Sequence, residues 1–368
     1  MFKNRDELEK VYKKLSVEKR VLNLFEDYAR DAGFILKRSD VKLKENESLR
    51  LKYPLVYMQL VKLSEYFKTS FEQIVRSALE QVWEASERKN DTAIMKVLKG
   101  AGLLYAGEKL LKWFNRSSPT AEGVTLETVL NYSRNMEGFS AFLKNDLKIS
   151  ERVWNLANQN TALIEQYIGS GLMEGSPAAR ITKDLKQFLV NPDARFRRVR
   201  DPETGKLKLS KPAANYHPGQ GVYRSAYKNA LRLASSEINM AYRLADQSRW
   251  KQIEFITGYE VKLSAGHVVL DICDYMIGEY PKSFKFSQFH PNCHCMAIPI
   301  LLTQDQFAEY LNTDKIPSDA KKVSGIPPLA FNHIRDNSKM FNRLKSKPFF
   351  LADNFEKRNG IFYPKKGI

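Results

Sequence analysis

The sequence predicts an α+β protein that is predominantly helical. An all-helical N-terminal region precedes a C-terminal domain of helices packed on a small antiparallel sheet, which carries a Cys/His loop. Three observations predict this. Apolar residues recur at three- and four-residue steps through much of the chain, the period of a helix with one buried face. Around residues 259–263 and 296–301 the pattern changes to alternation and to a short apolar run, both of strand length. Between those two runs fall all three cysteines and three of the five histidines of the 368 residues.

Taken in order, Leu8, Val11, Tyr12, Leu15, Leu22, Phe25 and Tyr28 mark a helix over residues 5–32, and the charged stretch 41–53 reads as a linker. Helical periodicity resumes over 54–88 through Leu55, Met58, Leu60, Val61, Tyr66, Phe67, Phe71, Ile74 and Val75. Asp91 is positioned to cap a further helix reaching Phe114, which the string RSSPT (116–120) ends. The segment 94–114 is apolar, basic and punctuated by glycine. It reads as a core helix in close packing, with a membrane-surface helix as the alternative. No apolar run approaches the ~18–20 residues that cross a bilayer.

Further helices are expected over 126–168 and from Ser176-Pro177, a cap followed by a first-turn proline. The string RFRRVRDPETGKLKLS (195–210) then predicts a polar hairpin around a Pro-Glu-Thr-Gly turn. A long helix follows over 222–251, its buried stripe including Tyr227, Ala230, Ala234, Ile238, Ala241 and Leu244. Tyr259, Val261 and Leu263 alternate with polar residues as a half-buried strand. MAIPIL (296–301) is a second strand, and its Pro299 argues for an edge position. A short helix over 304–311 leads into a basic tail.

The chain carries 59 Lys and Arg against 42 Asp and Glu, a formal charge of +17. That excess favours polyanions: nucleic acid, acidic protein surfaces or anionic lipid. Its densest patch is Arg195, Arg197, Arg198 and Arg200, followed by Lys206, Lys208 and Lys211. The patch is either a solvated hairpin or a contact for DNA phosphates or an acidic partner.

The Cys/His excursion runs His267, Cys273, His290, Cys293, His294, Cys295. Tetrahedral zinc takes four nitrogen or sulfur donors. Here His267 and Cys273 form one candidate pair, and His290, Cys293, His294 and Cys295 supply the other. Cys293 and Cys295 can face one point only if the backbone bends, which Pro291-Asn292 favours. The spacing differs from the paired CxxC of zinc ribbons. Reduced structural thiols, a disulfide leaving one odd cysteine, and a Cys/His nucleophile therefore stay open. Asp271 is a candidate to orient a ligand histidine, and Gly278 suits a turn with positive φ.

The helix RLASSEINMAYRLADQSRW (232–250), the stretch DICDYMIGEYP (271–281), HPNCHC (290–295) and a closing PIL together resemble the phage Mu protein F-like head morphogenesis family. The positions carrying the resemblance are Arg232, Glu237, Asn239 and Ala241, then Asp271, Cys273 and Gly278, then His290, Pro291, Cys293 and Cys295. His294 stands where the family usually has arginine. The family's common earlier CxxC is reduced to Cys273, leaving His267 as the candidate replacement. The resemblance covers residues 174–301. Beside the helical N-terminal region that periodicity gives over 1–115, the resemblance implies the head morphogenesis domain over 116–302, followed by a basic C-terminal extension over 303–368.

What the resemblance implies is a minor structural protein of a tailed-phage head. Such a protein would be associated with the portal and other capsid proteins, and would assist head assembly or DNA packaging and ejection. It would be found in the virion, and in the host cytoplasm during assembly. Packaged DNA is a further expected partner, stable membrane insertion is not expected, and a structural zinc would be the cofactor. The expectation is of a protein that is not an enzyme. The alternatives are a metal-dependent hydrolase or toxin-like enzyme domain, for which no P-loop, HExxH, GxSxG or glutamate-rich transferase motif is present, and a non-specific DNA-binding protein.

Overall fold

A computed structural model describes residues 3–39, 41, 49–100, 198–209, 225–264, 267–313, 315–344 and 346–368. Its elements are α1 (Lys3–Arg38), α2 (Leu49–Lys52), α3 (Pro54–Gly100), β1 (Arg198–Arg200), β2 (Leu207–Leu209), α4 (Ala226–Gln252), β3 (Ile256–Lys262), α5 (Ile272–Tyr275), β4 (Gly278–Tyr280), β5 (Met296–Leu301), α6 (Gln304–Thr313), α7 (Pro328–Asp336), α8 (Ser338–Arg343), α9 (Phe349–Asn354), β6 (Phe355–Arg358) and β7 (Ile361–Pro364). The architecture is α+β, with helices and a small antiparallel sheet in the C-terminal half. Among the described residues no helix is long and apolar enough to cross a membrane.

The described residues fall into two compact units. One holds residues 3–78, 198–209 and 225–235; the other holds 79–100 and everything from 236 onward. In the first unit, the periodic faces of α1 and α3 meet through aromatic residues. Phe25 meets Phe67 edge-on at 4.9 Å between ring centroids. Tyr227 closes on Phe25 from α4 at 5.8 Å. The Tyr28 hydroxyl and Ser64 Oγ are 2.6 Å apart, so this polar tip in the core has a partner. The predicted hairpin is present as β1 paired antiparallel with β2. Asp201 Oδ1 accepts from the backbone N–H groups of Glu203 and Thr204, fixing its turn.

Two expectations in the N-terminal half are corrected. Leu49–Lys52 forms a short helix within the stretch read as a linker. No new helix starts at Asp91, because α3 continues through it from Pro54 to Gly100. Asn90, which by propensity would favour a break, is held in the helix by its own contacts. Its Nδ2 donates to Ser86 O and Asp246 Oδ1, and its Oδ1 accepts from Trp250 Nε1. The remainder of the expected 91–114 helix and the helices of 126–191 lie outside the described residues.

In the second unit the sheet order is β4-β3-β5, all antiparallel. In β3 the alternating residues Tyr259 and Val261 are buried, while Glu260 and Lys262 are half-buried, as the two-residue period requires. β5 is an edge strand, as Pro299 predicts. The excursion between β3 and β5 contributes a strand of its own, β4, too short to show alternation. It is locked to β3 by the stacked pair Tyr259 and Tyr280, and the Tyr259 hydroxyl donates to Phe284 O at 2.7 Å.

The segment read as a basic extension is part of this core. Phe307, Tyr310, Ile334, Phe341, Phe350, Leu351, Phe355 and Phe362 are buried in one cluster with Tyr259, Tyr280, Phe284, Phe286 and Phe289. Phe350 meets Phe289 edge-on, and Phe355 does the same to Phe284. The Asn354 amide bridges Lys285, accepting from its N–H and donating to its C=O. Each fully buried aromatic adds about 1.5–3 kcal/mol of transfer free energy, so the interspersed lysines and arginines mask an apolar segment.

Candidate metal centre

Helix α4 presents two stripes, and the polar one builds the site. Ser236, Asn239, Arg243 and Gln247 fall at successive steps of three, four and four residues, which is one face of a helix. All of them reach the backbone of residues 286–295. Gln247 takes both polar groups of Phe286, accepting its N–H and donating to its C=O. Arg243 Nη1 donates to Ser287 O at 2.7 Å, Nη2 to Cys293 O at 2.7 Å and Cys295 O at 2.9 Å, and Nε to Cys295 O at 3.1 Å. Asn239 Nδ2 also donates to Cys293 O, at 3.1 Å, and Ser236 Oγ accepts from Asn292 N–H at 2.8 Å. Buried backbone in an irregular loop must find partners; here a helix face supplies them.

So held, the loop bends where expected. Asn292 adopts φ 61°, a left-handed conformation that asparagine tolerates better than most residues, and Cys293 N–H donates to His290 O. The bend turns Cys293 and Cys295 toward Cys273 at the start of the excursion. Cys273 is placed by the short helix α5, whose N-cap Asp271 accepts from Cys273 N–H. Asp274 returns the bond by accepting from Asp271 N–H, a reciprocal cap.

The three cysteines are buried, free and close together, their Sγ atoms all within 4.8 Å of one another. The sulfurs of Cys273 and Cys293 are 3.7 Å apart. Sulfurs bound ~2.3 Å from a tetrahedral ion stand about 3.8 Å apart, so the separation is that of two ligands on one centre. His290 Nε2 lies 3.1 Å from Cys273 Sγ. Its other nitrogen, Nδ1, lies 2.8 Å from Pro291 O. Nε2, which faces the thiol, also has Asp271 Oδ2 at 3.2 Å, so the ring sits between the loop backbone on one side and Cys273 with Asp271 on the other. Three thiols so placed can share a divalent, borderline-soft ion, with the His290 ring beside Cys273, and no disulfide joins them.

The electrostatics follow the same geometry. Hydrogen bonds from Cys273 and Cys295, with the Arg243 charge behind them, hold Cys293 well below the ordinary thiol range. Its bond to Cys293 raises Cys273. Cys295 is drawn down by Cys273, but its bond to Cys293 and its burial outweigh that and push it up to about 12. Negative charge therefore develops first on Cys293.

Of the residues the sequence singles out, Cys273, Cys293 and Cys295 come together, and His290 groups with Cys273 and Asp271 at the edge of that cluster. His267 does not join them: its Nε2 is 3.0 Å from Asp274 Oδ2, and it groups with Asp271 and Asp274. That contact raises the His267 pKa. His294 is exposed, because alternate residues of the loop face opposite ways. Asp271 Oδ2 lies 3.2 Å from His290 Nε2, the same nitrogen that faces Cys273. Gly278 has φ 128°, as its turn requires. Glu237 is buried and Arg232 half-buried on α4.

The basic hairpin is described only in part. Arg195 and Arg197 lie outside the described residues, Arg198 is in β1, and Arg200, Lys206 and Lys208 are exposed. Lys208 is paired with Asp201 at 2.6 Å. Sequence reasoning missed Ser236, Arg243 and Gln247 as parts of the site; their helical spacing beside the apolar stripe is the signal that marks them.

Comparison with protein-family models, with curated proteins and with solved structures gives no match to this chain.

Proposed function

We propose that this chain is a minor structural protein of a tailed-phage head, associated with the portal, whose Cys/His loop is held by a structural zinc ion. One observation carries the reading. The separate segments that resemble the Mu F-like head morphogenesis family meet as a single assembly, with Asn239 of the motif helix tied to Cys293 of HPNCHC, and Cys273 and His290 beside it. Sequence elements far apart in the chain that converge on one local structure support a motif with a common purpose.

Cys273, Cys293, Cys295 and His290 would hold the ion. Bound there it would cross-link the two ends of the excursion, the contribution structural zinc makes to small loop-rich segments. With four protein donors no position remains for water, which favours a structural over a catalytic role. The net charge of +17 suits contact with packaged DNA or acidic partner surfaces.

The test is co-expression of the tagged chain with the portal and capsid proteins encoded in the same genome, followed by particle purification and mass spectrometry. The chain is expected in assembled heads at few copies relative to the major capsid protein. Its absence from heads and from portal complexes would overturn the assignment. Elemental analysis of the chain purified without added metal tests the zinc separately.

A further inference from the structure

A buried guanidinium stands behind the thiols without a carboxylate. Arg243 is 5% exposed. An isolated charge at such a depth costs several kcal/mol unless matched. Among the described residues no carboxylate forms an ion pair with it. Its partners are the carbonyls of Ser287, Cys293 and Cys295 and the face of Phe286, whose ring centroid is 4.9 Å from its Cζ. Two of those carbonyls belong to Cys293 and Cys295, so the guanidinium sits on the backbone that carries two of the three clustered thiols.

We infer that Arg243 is the counter-charge and positioning residue of the thiol site, matched to a centre with one net negative charge: a divalent thiophilic cation held by three thiolates and the His290 imidazole. The inference rests on the metal reading above and adds to it the charge state of the centre and the residue that selects it. Three thiolates and a neutral imidazole around a divalent ion leave a single negative charge, which one guanidinium neutralises. A four-thiolate centre would leave two, and a two-thiolate centre none.

The geometry explains why the cation is arginine. Four N–H···O contacts to three carbonyls need a planar fork; an ammonium offers three donors from one point and cannot span them. The same contacts fix both cysteines of the HPNCHC segment, so charge and position come from one side chain. Asn239 supplies a neutral tie to the same Cys293 carbonyl and serves as the internal control.

The experiment is anaerobic titration of the full-length chain with Co²⁺ against a competing chelator. The thiolate-to-cobalt charge-transfer and ligand-field bands are read in wild type, Arg243→Met, Arg243→Lys, Asn239→Ala and Cys295→Ser, and in the Arg243→Met/Cys295→Ser double variant. Wild type is expected to give a tetrahedral, thiolate-rich spectrum. Arg243→Met should weaken Co²⁺ binding ~10–100-fold, Arg243→Lys by less, and Asn239→Ala least. With Cys295 replaced the centre loses its net charge, so the further effect of Arg243→Met should shrink.

Binding by Arg243→Met within twofold of wild type overturns the role of Arg243 while leaving the metal reading intact. So does an undiminished effect in the Cys295→Ser background, which would mark a purely structural residue. Absence of any thiolate–cobalt band in wild type overturns the metal reading itself. Should Arg243→Met fail to fold, Arg243→Lys decides: affinity equal to wild type removes the role of the fork.

Discussion

Cys273 and Cys293, twenty residues apart in sequence, bring their buried sulfurs to 3.7 Å with no disulfide between them. Three buried thiols gathered this closely could hold a metal ion, as proposed above. Cys293→Ser is therefore expected to abolish stoichiometric metal, measured by elemental analysis. A chelator should lower the thermal midpoint of wild type and leave that of Cys293→Ser unchanged. Equal chelator sensitivity in the two proteins would show that the stabilising ion sits elsewhere.

The two candidate histidines separate cleanly. His290 faces Cys273, and His267 faces Asp274. His290→Ala should weaken metal binding markedly, while His267→Asn should leave metal content at the wild-type level. A loss of metal in His267→Asn would reassign the fourth ligand.

Asp246 is the centre of a buried polar network in the second unit. It accepts from Ser86 Oγ at 2.6 Å, Asn90 Nδ2 at 2.7 Å and Lys89 Nζ at 3.0 Å. Burial opposes the Lys89 charge, but Asp246 and the Tyr242 hydroxyl outweigh it and hold its pKa above the usual lysine value. Asp246→Ala would leave that charge uncompensated, at a cost of about 3–5 kcal/mol. Urea unfolding measures it, and a loss under 1 kcal/mol would mean that water reaches the site.

Gly278 closes the turn between α5 and β4 at φ 128°, and a Cβ there would meet Pro327 Cγ at 2.8 Å. Gly278→Ala is expected to destabilise the protein by about 1–3 kcal/mol through strain and clash together. Loss of the contact alone can be tested with Pro327→Ala: in that background the penalty should fall to the backbone part.

Asp201 titrates low, to about 2, because Lys208 and then the N–H groups of Thr204 and Glu203 bond its carboxylate. A depressed carboxylate stabilises above its unfolded value of 3.8 and loses that contribution as pH falls toward 2. The β1–β2 hairpin should therefore keep its amide protection at pH 5 and lose part of it between ~pH 4 and ~pH 2. Asp201→Asn should remove that pH dependence in hydrogen exchange.

Much of this was legible in the residues. The three- and four-residue steps of Phe25, Tyr28, Phe67 and Phe71 report a buried helix face directly, and those side chains do pack together. The alternation around Tyr259 reports a strand with one buried side, and Pro299 reports its neighbour's edge. Other elements were hidden for definite reasons. Asn90 and Asp91 read as a helix break because local propensity cannot register the partners that Asp246 and Trp250 provide. The segment after Thr303 read as a tail because its lysines and arginines mask Phe307, Phe341, Phe350 and Phe362, whose burial depends on contacts with Phe255, Phe284 and Phe289.

The site divides along the same line. The sequence by itself determined that the chain concentrates its soft metal ligands in one excursion between two strands, since residue type and order are one-dimensional facts. Only the tertiary structure decided which of them meet. His267 and His290 are equivalent as letters, but the cap at Asp271 turns one toward Asp274 and the bend at Asn292 turns the other toward Cys273. Arg243 lies fifty residues from Cys293. Periodicity names the face on which such a residue lies; only the folded backbone determines what that face touches.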